Sequence, residues 1–156
     1  MPTNYGKKWE VKVKEDLSAL PDISLDRIYD SVSGYKSVSN ISDFIAYVYP
    51  NIFYLEVKSI KGNTFPLSNL TQYEKLKGKV GIPGVRAGVI IWYIDHGKVL
   101  YVPISTITAL KTDGKKSVNI KMLDSDEYNI VGIPSVTKRV FPTCDYRVLR
   151  NLKDGE

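Results

Sequence analysis

Apolar residues recur at helical spacing near the start of the chain, at Trp9, Val13, Leu17 and Leu20, the pattern of a helix with one buried stripe. Asn4 stands where an N-cap belongs, and Pro21-Asp22 supplies a stop, so the spacing predicts a helix from Asn4 to Leu20. A short strand is expected over Arg27 to Val32, with a turn at Ser33-Gly34-Tyr35. Ser42 to Tyr49 is rich in aromatic and β-branched residues, Pro50-Asn51 closes it, and Ile52 to Ile60 continues in the same character. Two such runs across a short gap predict a β-hairpin. Ser68 is placed as the N-cap of a second helix running from Asn69 to about Lys79. Gly88 to Ile94 is almost continuously apolar, as expected of a central strand covered on both faces. Asp95-His96-Gly97 turns the chain into a strand from Lys98 to Val102, and a short helix follows Pro103 and ends near Asp113-Gly114. The rest, from Ser117 on, predicts one or two short strands and a C-terminal helical turn. Helix, three strands, helix and two strands describe an α/β domain with a mixed sheet flanked by helices.

Composition narrows the class. A chain of 156 residues with 43% hydrophobic and 25% charged positions is long enough for one core without staples, and the expectation is a single domain over 1–156. The lone Cys144 excludes an internal disulfide and suits a reducing compartment. The opening residues have no apolar core of the signal-peptide kind, and Ala87 to Ile94 is too short to span a bilayer; a cytoplasmic protein is expected. One histidine, His96, without a Cys/His cluster argues against zinc. No phosphate-binding or dinucleotide glycine motif is present. The net charge of +5 allows a polyanionic partner. Basic residues gather at Lys7, Lys8, Lys12 and Lys14 and again at Lys75, Lys77, Lys79 and Arg86, although each run also reads as a solvated helix face. Tyr47, Tyr49 and Tyr54 offer rings for base stacking, or simply half-buried strand positions.

The chemistry is concentrated in Phe53-Tyr54-Leu55-Glu56-Val57-Lys58. Side chains alternate along a strand, so Glu56 and Lys58 share a face. Charges on an apolar strand need partners; a metal site would supply one, and a plain ion pair is the alternative. Glu-x-Lys alone discriminates poorly, since Glu10-Val11-Lys12 repeats it on a predicted helix, where the two do not share a face. Only the second copy has an acid, Asp43, at the head of the preceding strand, where a hairpin brings the carboxylates together. Two carboxylates with water make a natural Mg²⁺ site.

The segments Asn40-Ile41-Ser42-Asp43-Phe44, Leu55-Glu56-Val57-Lys58, Phe65-Pro66-Leu67 and Leu70-Thr71-Gln72, with the opening Gly6-Lys7-Lys8-Trp9-Glu10, together resemble the RecU-type Holliday-junction resolvases of the PD-(D/E)xK nuclease superfamily. The resemblance covers about Asn4 to Pro103. It implies a restriction-endonuclease-like fold and a Mg²⁺-dependent endonuclease, with Mn²⁺ as substitute, that acts on four-way DNA junctions as a homodimer. It implies that Asp43 and Glu56 bind the metal, that Lys58 is the catalytic lysine, that Glu10 is an acid near the metal, and that Gln72 orients water or phosphate. Arg27, Tyr35, Lys36 and Lys61 are candidate DNA contacts. The chain departs from the family in two places. Ser42 stands where the superfamily has proline, and only Ser31 to Ile41 fills the place of a long stalk, leaving a short finger with Tyr35 and Lys36 near its tip. Two other readings stay open: a superfamily nuclease with a different DNA substrate, and a basic DNA-binding module in which Glu56 and Lys58 are a structural pair.

Overall fold

A computed structural model describes residues 4–28 and 40–153. Tyr35, Lys36 and the expected turn at Ser33-Gly34-Tyr35 lie outside them. Helix α1 (Tyr5–Ser18) begins as its sequence predicts, with the Asn4 side chain accepting from the Lys7 N–H, and it buries Trp9, Val13 and Leu17. Each of these apolar side chains is worth roughly 1.5–3 kcal/mol when withdrawn from water. Strand β1 (Ile23–Arg27) follows at once. It begins earlier than expected: the chain extends directly after Pro21-Asp22, and Ile23 and Leu25 alternate inward against the α1 side of the core, while residues 29–32 of the expected Arg27–Val32 strand lie outside the described residues.

The hairpin of β2 (Phe44–Val48) and β3 (Asn51–Ile60) forms as expected, pairing Phe44 with Leu55 and Val48 with Asn51. Strand β4 (Thr64–Pro66), unforeseen, leads into a single 3-10 turn over Leu67–Asn69. Helix α2 (Tyr73–Lys77) is shorter than the expected Asn69–Lys79 segment. Ser68 lies inside the 3-10 turn, the Leu67 N–H is bound by the Lys116 carbonyl, and Leu70 leaves helical geometry.

Strand β5 (Val85–Tyr93) runs parallel to β3 and carries the apolar run, buried from Ala87 to Tyr93. A short turn ends on Gly97 at φ +59°, a left-handed conformation that suits glycine. Strand β6 (Lys98–Pro103) and helix α3 (Ile104–Thr112) follow. Beyond them come β7 (Ser117–Asn119), β8 (Val131–Ile133), β9 (Ser135–Thr137), β10 (Pro142–Cys144) and a terminal 3-10 turn over Tyr146–Asn151.

The main sheet has the order β1-β2-β3-β5-β6-β8. β3 and β5 are its parallel pair, and the other neighbours are antiparallel. One core packs α1 and the C-terminal turn on one face, through Phe53, Leu55, Val57 and Trp92. The other packs α2 and α3 against Val89, Ile91 and Leu100. Two small pairs, β4 with β7 and β9 with β10, brace the margins. No helix among the described residues is long and apolar enough to cross a membrane.

Candidate active site

The hairpin register decides where the acids stand. With Phe44 opposite Leu55, the next pair outward is Asp43 opposite Glu56, and the Asp43 N–H continues the ladder onto the Leu55 carbonyl at 3.0 Å. Strand β2 stops at this point while β3 runs on. The Val57 N–H therefore has no strand partner on that side, and the Asp43 carboxylate accepts it at 2.8 Å. Ser42 is buried and donates its hydroxyl to the Phe44 carbonyl, fixing the turn into β2.

Glu56 is 3% exposed. Its Oε1 lies 3.5 Å from the Lys58 ammonium, and its Oε2 is buried with no hydrogen-bond partner. Burial, reinforced by the negative charge of Asp43, pushes the Glu56 carboxyl up to about 8; Lys58 opposes this shift without cancelling it. A buried oxygen without a donor is costly, and a carboxyl group shifted this far by burial and a neighbouring charge is common where chemistry is done.

On the α1 side of Asp43, Arg27 closes the arrangement. Its guanidinium reaches Glu10 at 2.8 Å, the carbonyls of Ile28 and Asp43 at 2.8 and 3.0 Å, and Asp43 Oδ1 at 3.6 Å, while lying over the Phe44 ring. The fork of five donors suits this divided task. Glu10 thus enters the site through Arg27. The bridge was not foreseen because β1 was expected to begin at Arg27 and not at Ile23. In its true place, Arg27 shares the inward face of Ile23 and Leu25, and that alternation was the available signal.

The other candidates touch other neighbours. Gln72 occupies the N-cap position of α2, and its side chain accepts from the Thr71 hydroxyl. Lys61 is exposed just past β3, with its ammonium over the Tyr5 ring at 5.6 Å. Tyr47 and Tyr49 are exposed, and Tyr54 lies beneath the Lys79 ammonium. Cys144 is buried and its thiol is pushed up to about 11, chiefly by burial. A cavity of about 280 Å³ opens beside Asn51, Arg86 and Ser105, and none of the site residues lines it.

Two carboxylates are the acidic component: among the described residues no cluster of three or more His, Cys, Asp or Glu is placed to hold a metal. The oxygen donors of Asp43 and Glu56 nevertheless fit a hard cation that retains water, and the unpartnered Glu56 Oε2 is a free ligand atom.

No family model matches the chain, and no curated protein matches it. Among solved structures, Hjc, a Holliday junction resolvase from the archaeal hyperthermophile Archaeoglobus fulgidus, superposes with a TM-score of 0.50 at 20% identity, covering 65% of this chain and 78% of its own. The chain has the fold of a resolvase nuclease. The expected mixed sheet flanked by helices is the sheet of this resolvase fold, and Asp43, Glu56 and Lys58 sit on its β2–β3 hairpin.

Proposed function

We propose that this chain is a metal-dependent endonuclease that resolves branched DNA, four-way junctions above all, by phosphodiester hydrolysis. The observation that carries the reading is the cross-strand placement of Asp43 and Glu56 with Lys58 beside them. The resolvase fold supports it, and the order of motifs favours the RecU type. Asp43 and Glu56 would hold Mg²⁺, or Mn²⁺ in its place. Such an ion supplies an activated water and neutralises charge on the phosphoryl group. The chain's own residues then have separable roles. Glu56 must be ionised to bind a cation, so its proton leaves on loading. Lys58, half-buried beside it, sets a positive charge where the phosphorane oxygens become more negative. Arg27 holds Asp43 in place and positions Glu10. Gln72 lies at the head of α2 as a candidate to orient water or phosphate. Two copies related by a two-fold axis would deliver the paired cuts that a four-way junction requires.

The test is cleavage of a synthetic four-way junction, a flap and a plain duplex with and without Mg²⁺. The expected outcome is metal-dependent cutting with the junction preferred. Asp43→Ala and Lys58→Ala should each lower the rate by a factor of at least about 10² while junction binding persists. Cutting of all three DNAs at similar rates would point to a superfamily nuclease of another specificity. Salt-sensitive binding without cutting of any DNA would sink the enzymatic reading and leave a binding module.

A further inference from the structure

The β9–β10 hairpin carries a basic tip that the candidate active site does not use. Its inward face, Pro142 and Cys144, is buried, while Val136 on the outward face is 62% exposed. Lys138 and Arg139 form the turn with Val140, and all three are exposed. No ion pair among the described residues engages Lys138 or Arg139. The acids near the hairpin are already occupied. Asp145 pairs with Arg147, Asp16 takes Lys12 and the Cys144 N–H, and Asp95 takes the Gly62 N–H. Two exposed cations therefore have no ion-pair partner among the described residues.

The hairpin is held firmly. Asp145 N–H donates to the Pro134 carbonyl at its base. Phe141 packs on Trp92 at 5.1 Å and on Tyr5 at 6.0 Å between ring centroids. Tyr5 is also the ring beneath Lys61, and Lys61 follows Lys58 by three residues at the same end of β3. The tip and the candidate active site thus share one end of the sheet, the hairpin packing on the α1 face and Glu56 and Lys58 standing on the other. Lys98, exposed at the start of β6, and Lys7 and Lys8 on the first turn of α1 belong to that end as well.

We propose that the β9–β10 hairpin is a second DNA-binding element, with Lys138 and Arg139 against the phosphates of a duplex arm leaving the active site and Val136 and Val140 against its sugars. This rests on the DNA reading of the site and adds a surface to it. Contacts of this kind position the substrate without reading bases, so they should govern affinity and leave the chemical step alone. Each phosphate neutralised should add about 0.9 to the salt dependence of binding.

The experiment measures binding of the full chain to an immobile four-way junction and to a plain duplex, in chelator, from 50 to 250 mM salt. Lys138→Ala/Arg139→Ala should lower affinity several-fold and reduce the slope of log affinity against log salt by about 1.8. The melting temperature and the cutting rate at saturating DNA should be unchanged. Lys115→Ala/Lys116→Ala, exposed lysines after α3, serve as the charge control and should keep the slope. Should the alanine pair melt early, Lys138→Gln/Arg139→Gln is read in its place. An unchanged slope in the hairpin variant, or an equal loss in the control, overturns the proposal. A protein that cuts normally with an unaltered slope defeats this inference and leaves the nuclease standing. One whose binding depends on the hairpin but which never cuts does the opposite.

Discussion

Glu56 keeps its proton in the folded state where an unfolded chain would release it. Its folded value of about 8 lies above the ordinary 4.5, so between these values the native state binds more protons than the unfolded one. Stability must then fall as pH rises across that window. In chelator, the melting temperature should decline from about pH 5 to pH 8, and Glu56→Gln should flatten that decline; an unaltered profile would show that Glu56 is not the group responsible. Arg27 presents a different kind of dependence. It satisfies Glu10 and two carbonyls at once, and truncation leaves those acceptors part-buried without donors. Arg27→Ala should cost about 1–3 kcal/mol in denaturant unfolding, whereas Arg27→Lys should recover only part because an ammonium cannot span the same acceptors.

At the scale of elements, close approach between strands limits what the sheet tolerates. Gly88 on β5 faces Tyr101 of β6, and a Cβ there would meet the ring at 2.5 Å. Gly88→Ala should therefore destabilise by roughly 1–3 kcal/mol through overpacking, read as a lower urea midpoint at unchanged slope. The elements legible in the sequence were those whose evidence is local. The α1 stripe, the hairpin around Tyr49-Pro50, the β5 run and the stop at Asp113-Gly114 each declare themselves within a dozen residues. The missed elements depend on distant partners. Strand β4 exists because Thr64–Pro66 finds Ser117–Asn119, and α2 is short because a carbonyl from Lys116 holds Leu67 in a tighter turn. No local propensity announces such pairings.

Over the whole molecule, the two sides of the sheet differ in how fully they are covered. Beneath it, α1 and the C-terminal turn close the face completely around Trp9, Trp92 and Tyr146. Above it, α2 and α3 cover β5 and β6, while Tyr47 and Ile52 of the β2–β3 hairpin remain exposed on the face that bears Glu56 and Lys58. The candidate site was legible to the same extent as the hairpin. Alternation placed Glu56 with Lys58, and the short turn placed Asp43 opposite. The Arg27 bridge to Glu10 was not legible, since it joins a helix and a strand that only tertiary packing brings together.

The contact between Asp43 and the Val57 N–H bears on side-chain length. An aspartate holds its carboxylate close to its own backbone, within reach of the neighbouring strand's N–H. A glutamate at 43 would carry the group one methylene beyond that donor. An aspartate at 56 would stop one methylene short of where Glu56 now ends. The order of the two acids along the hairpin, the shorter first and the longer second, is therefore a matter of reach, and exchanging them would preserve every charge while losing the arrangement.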